Sequence, residues 1–358
     1  MFTGFRERRI GETALAVMEF GLGDTPLGNM FDNMYRTTET ETAVATVHAV
    51  AAAGIRYFDT ASIYDFGLGE MRLGKGMATL PREKIAISSK AGDSLVPVDP
   101  GELKPGLWDR LPPMRADFDC SCDAMPRSLE ASPKRLDTPS VGTSYVGTSY
   151  VGTLAIHDPD EAVDVGAGVE PFSCSHFKAA MDEDFPTLAG LRSQVVIKAI
   201  GIGIDQGLMP CDFATAGDFD YFLLTGRYTL LDQDSMRRLL PLCEQRSISL
   251  VIGGPYNSGI LATGVIDLAT GDDRPASPAI LDRVRKIEAA CARHDVPLQA
   301  AAPQFPLRHP LVASIIPGAR PVAGGEANLA FLHAPMPSQF WAELKHERLI
   351  HEATPVGR

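Results

Sequence analysis

Short apolar runs rich in β-branched and aromatic residues alternate with helical patterns along most of this chain. That alternation restricts its fold more than any other feature. The runs are Ile55–Asp59, Ile85–Ser89, Val151–Ile156, Val195–Gly201, Tyr221–Leu224, Ser249–Ile252 and Ala313–Ile316, with Val17–Gly21 supplying a first strand. Helical periods fill the gaps over Thr40–Ala53, Gly69–Ala78, Leu188–Gln194, Ser235–Arg246 and Pro278–Arg293. The runs are apolar nearly throughout, as expected of parallel strands buried on both faces. Eight strands alternating with helices predict an α/β fold of the (β/α)8 TIM-barrel type, with an open doubly wound sheet as the alternative. The chain's 358 residues suffice for one large barrel domain over 1–358.

Barrel chemistry happens where the strand C-termini open on one face. Asp59 ends one apolar run, Lys90 directly follows another and His157 follows a third, while Tyr64 stands in the loop just beyond Asp59. An Asp, a Tyr, a Lys and a His on that face suggest a phenol tuned to pass a proton while a hydride moves. A free phenol, with a pKa near 10, is poorly matched to neutral pH. An adjacent ammonium favours the phenolate, and a carboxylate beside the ammonium keeps it charged. Taken singly, each residue has an ordinary role: a helix cap, rim packing, a paired charge or a hydrogen-bonded loop histidine.

The formal net charge is −12, and no basic cluster occurs, which argues against nucleic acid or an anionic membrane as partner. No stretch approaches the roughly 20 apolar residues of a membrane span, and the N-terminus lacks a signal-peptide core. Six cysteines are scattered through the chain, and Cys120-Ser121-Cys122 is too closely spaced for a zinc knuckle. No metal is implied. Reduced cysteines and no export signal predict a soluble cytoplasmic protein.

Two segments depart from the alternation. Residues 93–120, rich in Pro and Gly, have no clear period and predict a long loop after the third strand, over the barrel mouth. Residues 141–153 hold a tandem repeat, Val141–Tyr145 followed by Val146–Tyr150 and then Val151-Gly152-Thr153, which reads as an insertion before the His157 strand. Pro126 and Pro133 fall inside a helical pattern over Asp123–Leu136, where an interior proline costs about 3 kcal/mol.

In these contexts Asp59, Tyr64, Lys90 and His157 resemble the catalytic tetrad of the aldo-keto reductases. The resemblance covers nearly the whole chain. Leu68–Gly74, His157–Asp160, Leu223–Asp232, Gly253–Leu261 and Ile316–Arg320 are similar to the family's bacterial sugar-dehydrogenase branch, which includes L-fucose (D-threo-aldose 1-) and pyridoxal 4-dehydrogenases. The resemblance implies a nicotinamide-dependent enzyme with Tyr64 as general acid/base and His157 as a donor to the substrate oxygen. It implies that Tyr228 stacks on the nicotinamide and that Asn328 contacts adenine. The phosphates would lie near the loops after the seventh and eighth strands. Pro255, Asn257, Ser258, Gly259 and Leu261 occupy the first of these loops, and Gly318 and Arg320 begin the second. No second basic residue follows Arg320, which favours NAD and leaves NADP possible. The Ser-Asn pair that commonly holds the carboxamide is absent; Asp205 or Gln206 takes that position.

The substrate expected from this branch is a small-molecule hemiacetal. The leading reading is oxidation of the anomeric hydroxyl of an aldose such as L-fucose to the lactone. The alternative is oxidation of the pyridoxal hemiacetal to its lactone. A non-catalytic, nucleotide-binding barrel subunit is the reading from another class. Oligomeric state is not legible.

Overall fold

The computed structural model describes residues 5–29, 38–103, 110–118, 124–137, 152–159, 176–205, 209–267, 269–271, 274–319 and 322–356. Eight parallel strands form one sheet in sequential order: β1 (Leu22–Gly23), β2 (Tyr57–Asp59), β3 (Ala86–Ala91), β4 (Thr153–His157), β5 (Ala199–Ile204), β6 (Tyr221–Thr225), β7 (Ser249–Gly253) and β8 (Val312–Ile316). Parallel bridges Phe20–Ile315 and Gly23–Gly318 join the last strand to the first and close the ring. The expected TIM barrel is therefore the fold.

Alternate residues of each strand face opposite ways. Phe58, Leu154, Ile156, Ile200, Ile202, Phe222, Leu224 and Ile252 point outward into the apolar layer beneath the helices. Tyr57, Ala155, Ala199, Tyr221, Leu223 and Val251 point inward and fill the barrel. Each fully buried large side chain contributes roughly 1.5–3 kcal/mol.

The expected first strand, Val17–Gly21, is corrected. Ala16–Met18 pairs antiparallel with Glu7–Arg9 instead, and the barrel strand is Leu22–Gly23. Ile10, Leu15 and Val17 of that hairpin pack with the barrel interior, and the Gly11 amide donates to Ser249 Oγ at the start of β7 (2.8 Å). The hairpin thus plugs the end opposite the strand C-termini. One buried face on Val17 reads the same for a plug as for a barrel strand.

The expected Val195–Gly201 strand also shifts, to Ala199–Ile204. Val195 has a left-handed φ of 59° and is 70 % exposed, because the helix Phe185–Ser193 ends just before it and the chain must turn. Ser235–Arg246 divides into a 3-10 turn, Asp234–Arg237, and a helix, Leu239–Arg246. Pro241 has no amide hydrogen to donate and sits in that helix's first turn, where none is needed. The period-free stretch after β3 is a hairpin rather than an irregular loop: Asp93–Pro97 pairs with Met114–Phe118. Helix Ala124–Arg135 forms despite its prolines, with Pro126 in the first turn and Pro133 inside. Of the 141–153 repeat segment, only Gly152 and Thr153 lie within the described residues.

Candidate active site

Asp59 is the last residue of β2, Lys90 the penultimate residue of β3 and His157 the last of β4. Strand register sets Asp59 opposite Ser88, Lys90 opposite Ala155 and His157 opposite Gly203. A Cβ on Gly203 would lie 3.2 Å from Lys90 Cδ, so the glycine leaves room for the lysine stem.

The site is organised around the Lys90 ammonium, which is 1 % exposed. It donates to Asp59 Oδ1 at 2.6 Å and to the Thr60 carbonyl at 3.0 Å. It also hydrogen-bonds the Tyr64 phenol, and Nζ lies 4.8 Å from that ring's centroid. An ammonium has three hydrogens, and these are its three partners. Buried charges persist only when paired in this way. Burial alone would lower the Lys90 pKa, but Asp59 and the Tyr64 oxygen outweigh it and hold the group above its ordinary value. Lys90 is a fixed positive charge.

The Tyr64 and His157 rings meet edge to face, centroids 5.5 Å apart. Burial, with a smaller contribution from Lys90, pushes the imidazole pKa well below its ordinary value, so His157 is neutral at pH 7. Its Nε2 lies 3.4 Å from Asp158 Oδ2. The phenol is corrected in one respect. Desolvation pushes the Tyr64 pKa above its ordinary value, and Lys90 pulls it only part of the way back. The sequence shows the ammonium but not the depth of burial. Without a ligand, Tyr64 holds its proton at neutral pH.

Two carboxylates beside the tetrad escape a strand-end reading of the sequence. Asp24 follows β1, is fully buried, accepts from Thr60 Oγ1 at 2.6 Å and donates its amide to the Asp59 carbonyl at 3.0 Å. Burial raises its pKa well above the usual carboxylate range. Asp65, directly after Tyr64, is also fully buried. A carboxylate next to an expected catalytic tyrosine is the signal that marks it.

Gly254, Asn257, Ser258 and Gly259 in the loop after β7 all have positive φ (54°, 47°, 54° and 96°), and nothing lies within 4 Å of where a Gly259 Cβ would sit. Asn257 is 7 % exposed; its Nδ2 donates to the Gly226 carbonyl at 3.2 Å, while its Oδ1 has no hydrogen-bond partner among the described residues. Pro255 and Leu261 are buried supports of this loop. Asn328 ties the two loops together: it accepts from the Tyr256 hydroxyl at 3.0 Å and donates to the Gly318 carbonyl at 3.1 Å. Gly318 itself is needed because the Pro26 ring fills its Cβ space, 2.2 Å away. Arg320 and Gln206 lie outside the described residues. The Asp205 carbonyl accepts from Arg227 Nε.

Tyr228 stands just beyond the end of β6, but its ring turns into the core. It is fully buried against Phe305 and His309, centroids 5.4 and 5.6 Å away, so neither ring face is open for stacking. A cavity of about 790 Å³, lined among others by Asp232, Gln233, Arg283 and His351, includes Asn257 but none of the tetrad. The described residues hold no cluster of His, Cys, Asp and Glu fit for a metal ion, and no described helix is long and apolar enough to cross a membrane. Cys211, Cys243 and Cys291 are buried free thiols.

The model of the aldo/keto reductase family matches residues 27–347. The chain is an aldo-keto reductase. It is 34 % identical to a pyridoxal 4-dehydrogenase of Microbacterium luteolum, over 96 % of this chain and 98 % of that one. It is 33 % identical to a D-threo-aldose 1-dehydrogenase of a Pseudomonas species, over 94 % and 95 %. An aldo-keto reductase from Bacillus halodurans in its holo form superposes with a TM-score of 0.72, at 20 % identity and 98 % coverage of both chains. Members of the family are oxidoreductases that bind a nicotinamide cofactor. The open, positive-φ loop after β7 and the unpartnered Asn257 Oδ1 fit such a group, and this aldo-keto reductase would hold it with Asn257, Ser258 and Gly259.

Proposed function

We propose that this aldo-keto reductase oxidises the anomeric hydroxyl of an aldose such as L-fucose to the lactone, with NAD as its preferred nucleotide. The observation that carries the proposal is the Lys90 ammonium, sealed between Asp59, the Thr60 carbonyl and the Tyr64 phenol. When bound, the nicotinamide supplies the acceptor for the hydrogen and electron pair lost from C1. The proton of the C1 hydroxyl passes to the Tyr64 oxygen. The C1–O bond becomes a carbonyl, while the ring oxygen stays attached, giving the lactone. Lys90 stabilises the unprotonated phenol that accepts this proton, and Asp59 fixes the ammonium against it. Neutral His157 donates a hydrogen bond to the substrate oxygen and sets its position.

Pyridoxal presents a cyclic hemiacetal of the same kind, and the 34 % identity to a pyridoxal 4-dehydrogenase supports it as the second substrate reading. NAD is preferred to NADP on the single arginine, Arg320, with no basic residue after it. The test is turnover of each hemiacetal with each nucleotide. Turnover of the sugar supports the leading proposal, and turnover of pyridoxal alone selects the second. Nucleotide binding without turnover of any hemiacetal, aldehyde or alcohol would make the protein a binding subunit instead.

A further inference from the structure

We propose that Asp65 is a positioning residue for Tyr64, locked in place by the absence of a side chain at Gly28; the inference rests on the proton-transfer role given to Tyr64 above.

The backbone after Tyr64 takes an unusual course. Asp65, Phe66 and Gly67 all have positive φ, at 52°, 50° and 87°. Only glycine enters this region freely; Asp tolerates it, and Phe does so at a cost. Such a run persists only when its surroundings hold it. Two contacts do so. Phe66 N donates to the Ile63 carbonyl at 2.9 Å, closing the turn locally. The Asp65 carboxylate accepts from the Asn29 amide at 2.5 Å, tethering the turn to the loop after β1.

Gly28 makes the tether possible. Its φ of −87° and ψ of −160° are open to any residue, so backbone conformation does not require glycine there. Space does: a Cβ at position 28 would lie 1.5 Å from Asp65 Oδ2. The carboxylate occupies the volume that a side chain at 28 would need. Behind it, Arg72 joins the same loop, donating to the Leu27 carbonyl at 2.6 Å and to Asn29 Oδ1 at 3.1 Å. The tyrosine is thus held from two sides. Lys90 binds its oxygen, and the Gly28–Asp65 lock fixes the backbone that carries it. Misplacing a reacting group by about 1 Å can cost ~10²-fold in rate.

The test labels the tyrosines with 13C at Cζ; the Tyr64 resonance is the one lost in Tyr64→Phe. Asp65→Gly accepts the left-handed backbone but removes the tether, Asp65→Asn keeps an acceptor for the Asn29 amide, and Gly28→Ala displaces the carboxylate. The Tyr64 resonance should move in Asp65→Gly and in Gly28→Ala and stay in place in Asp65→Asn. On the substrate that wild type oxidises, kcat should fall by ~10²-fold in the first two, with KM nearly unchanged, and be rescued in the third. Adding Gly28→Ala to Asp65→Gly should cost nothing further, because the clashing group is gone. A Tyr64 resonance in Asp65→Gly that coincides with wild type overturns the proposal, as does a Gly28→Ala effect undiminished in the double variant. The resonance decides the matter even if wild type oxidises no hemiacetal, a result that would remove the substrate proposal alone.

Discussion

Lys90 Nζ and Asp59 Oδ1 lie 2.6 Å apart on neighbouring strand ends, at 1 % and 3 % side-chain exposure. Neither charge has solvent to fall back on, so each depends on the other. Asp59→Asn would leave the ammonium buried beside a neutral amide, and breaking such a pair costs about 3–5 kcal/mol. A large fall in the urea midpoint should therefore accompany the loss of turnover. A variant that melts like wild type would show that the pair is not coupled.

Proton transfer should carry a distinctive pH dependence. In the oxidative direction Tyr64 must be unprotonated, and its pKa lies above the ordinary tyrosine value because burial outweighs Lys90. The oxidative kcat/KM, which reports the ligand-free enzyme, should thus rise with pH by about tenfold per unit through the neutral and mildly alkaline range. Carbonyl reduction, which uses the protonated phenol, should stay flat over the same range. His157, neutral throughout, should add no inflection near pH 6.5. Profiles of kcat/KM against pH in both directions check this, and an oxidative plateau below pH 8 would contradict it.

Tyr228 should behave as a core residue. Tyr228→Ala removes a fully buried ring packed on Phe305 and His309. The expected loss of stability is about 3–5 kcal/mol. Nucleotide affinity of the protein that remains folded should hold within a factor of about two, since a change within roughly 0.5 kcal/mol is ordinary for a residue away from the ligand. Calorimetric titration with NAD and NADP distinguishes this from a stacking role, which would weaken affinity far more.

Asp65 should tax stability above about pH 6. Desolvation pushes its carboxyl up from 3.8 to about 6, against the Asn29 amide and Arg72, which pull it down. With the folded pKa above the unfolded one, the native state binds the proton more tightly. That contribution is complete only below the unfolded pKa of 3.8 and is lost as pH rises through 6. The stability of Asp65→Asn relative to wild type should therefore improve by about 2 kcal/mol between pH 4 and pH 8. Urea denaturation of both proteins at the two pH values measures it, and a pH-independent difference would place Asp65 at an ordinary pKa.

The barrel and the strand-end placement of Asp59, Lys90 and His157 were legible because a parallel strand buried on both faces has a strong local signature. A charged residue at its end stands out against it. Val17 and Val195 misled for the same reason: an apolar β-branched run looks alike in a plug, a turn and a strand. The hairpin after β3 was hidden because Asp93–Pro97 and Met114–Phe118 pair across a Pro- and Gly-rich gap with little alternation of their own. The acidity of Tyr64 is not legible in the sequence, because burial is a property of the assembled barrel. The Gly28–Asp65 contact could not be read either, since it joins loops after two different strands, and the glycine's own backbone angles give no hint of it.

The most direct test is reduced-nicotinamide formation by purified wild type and Tyr64→Phe, with L-fucose and NAD and with pyridoxal in parallel. A positioned proton-transfer group contributes ~10²–10⁴-fold, so wild type should oxidise the sugar and Tyr64→Phe should lose about that factor while still binding NAD. Equal turnover by the two proteins would contradict the proton-transfer role on which the proposed chemistry rests.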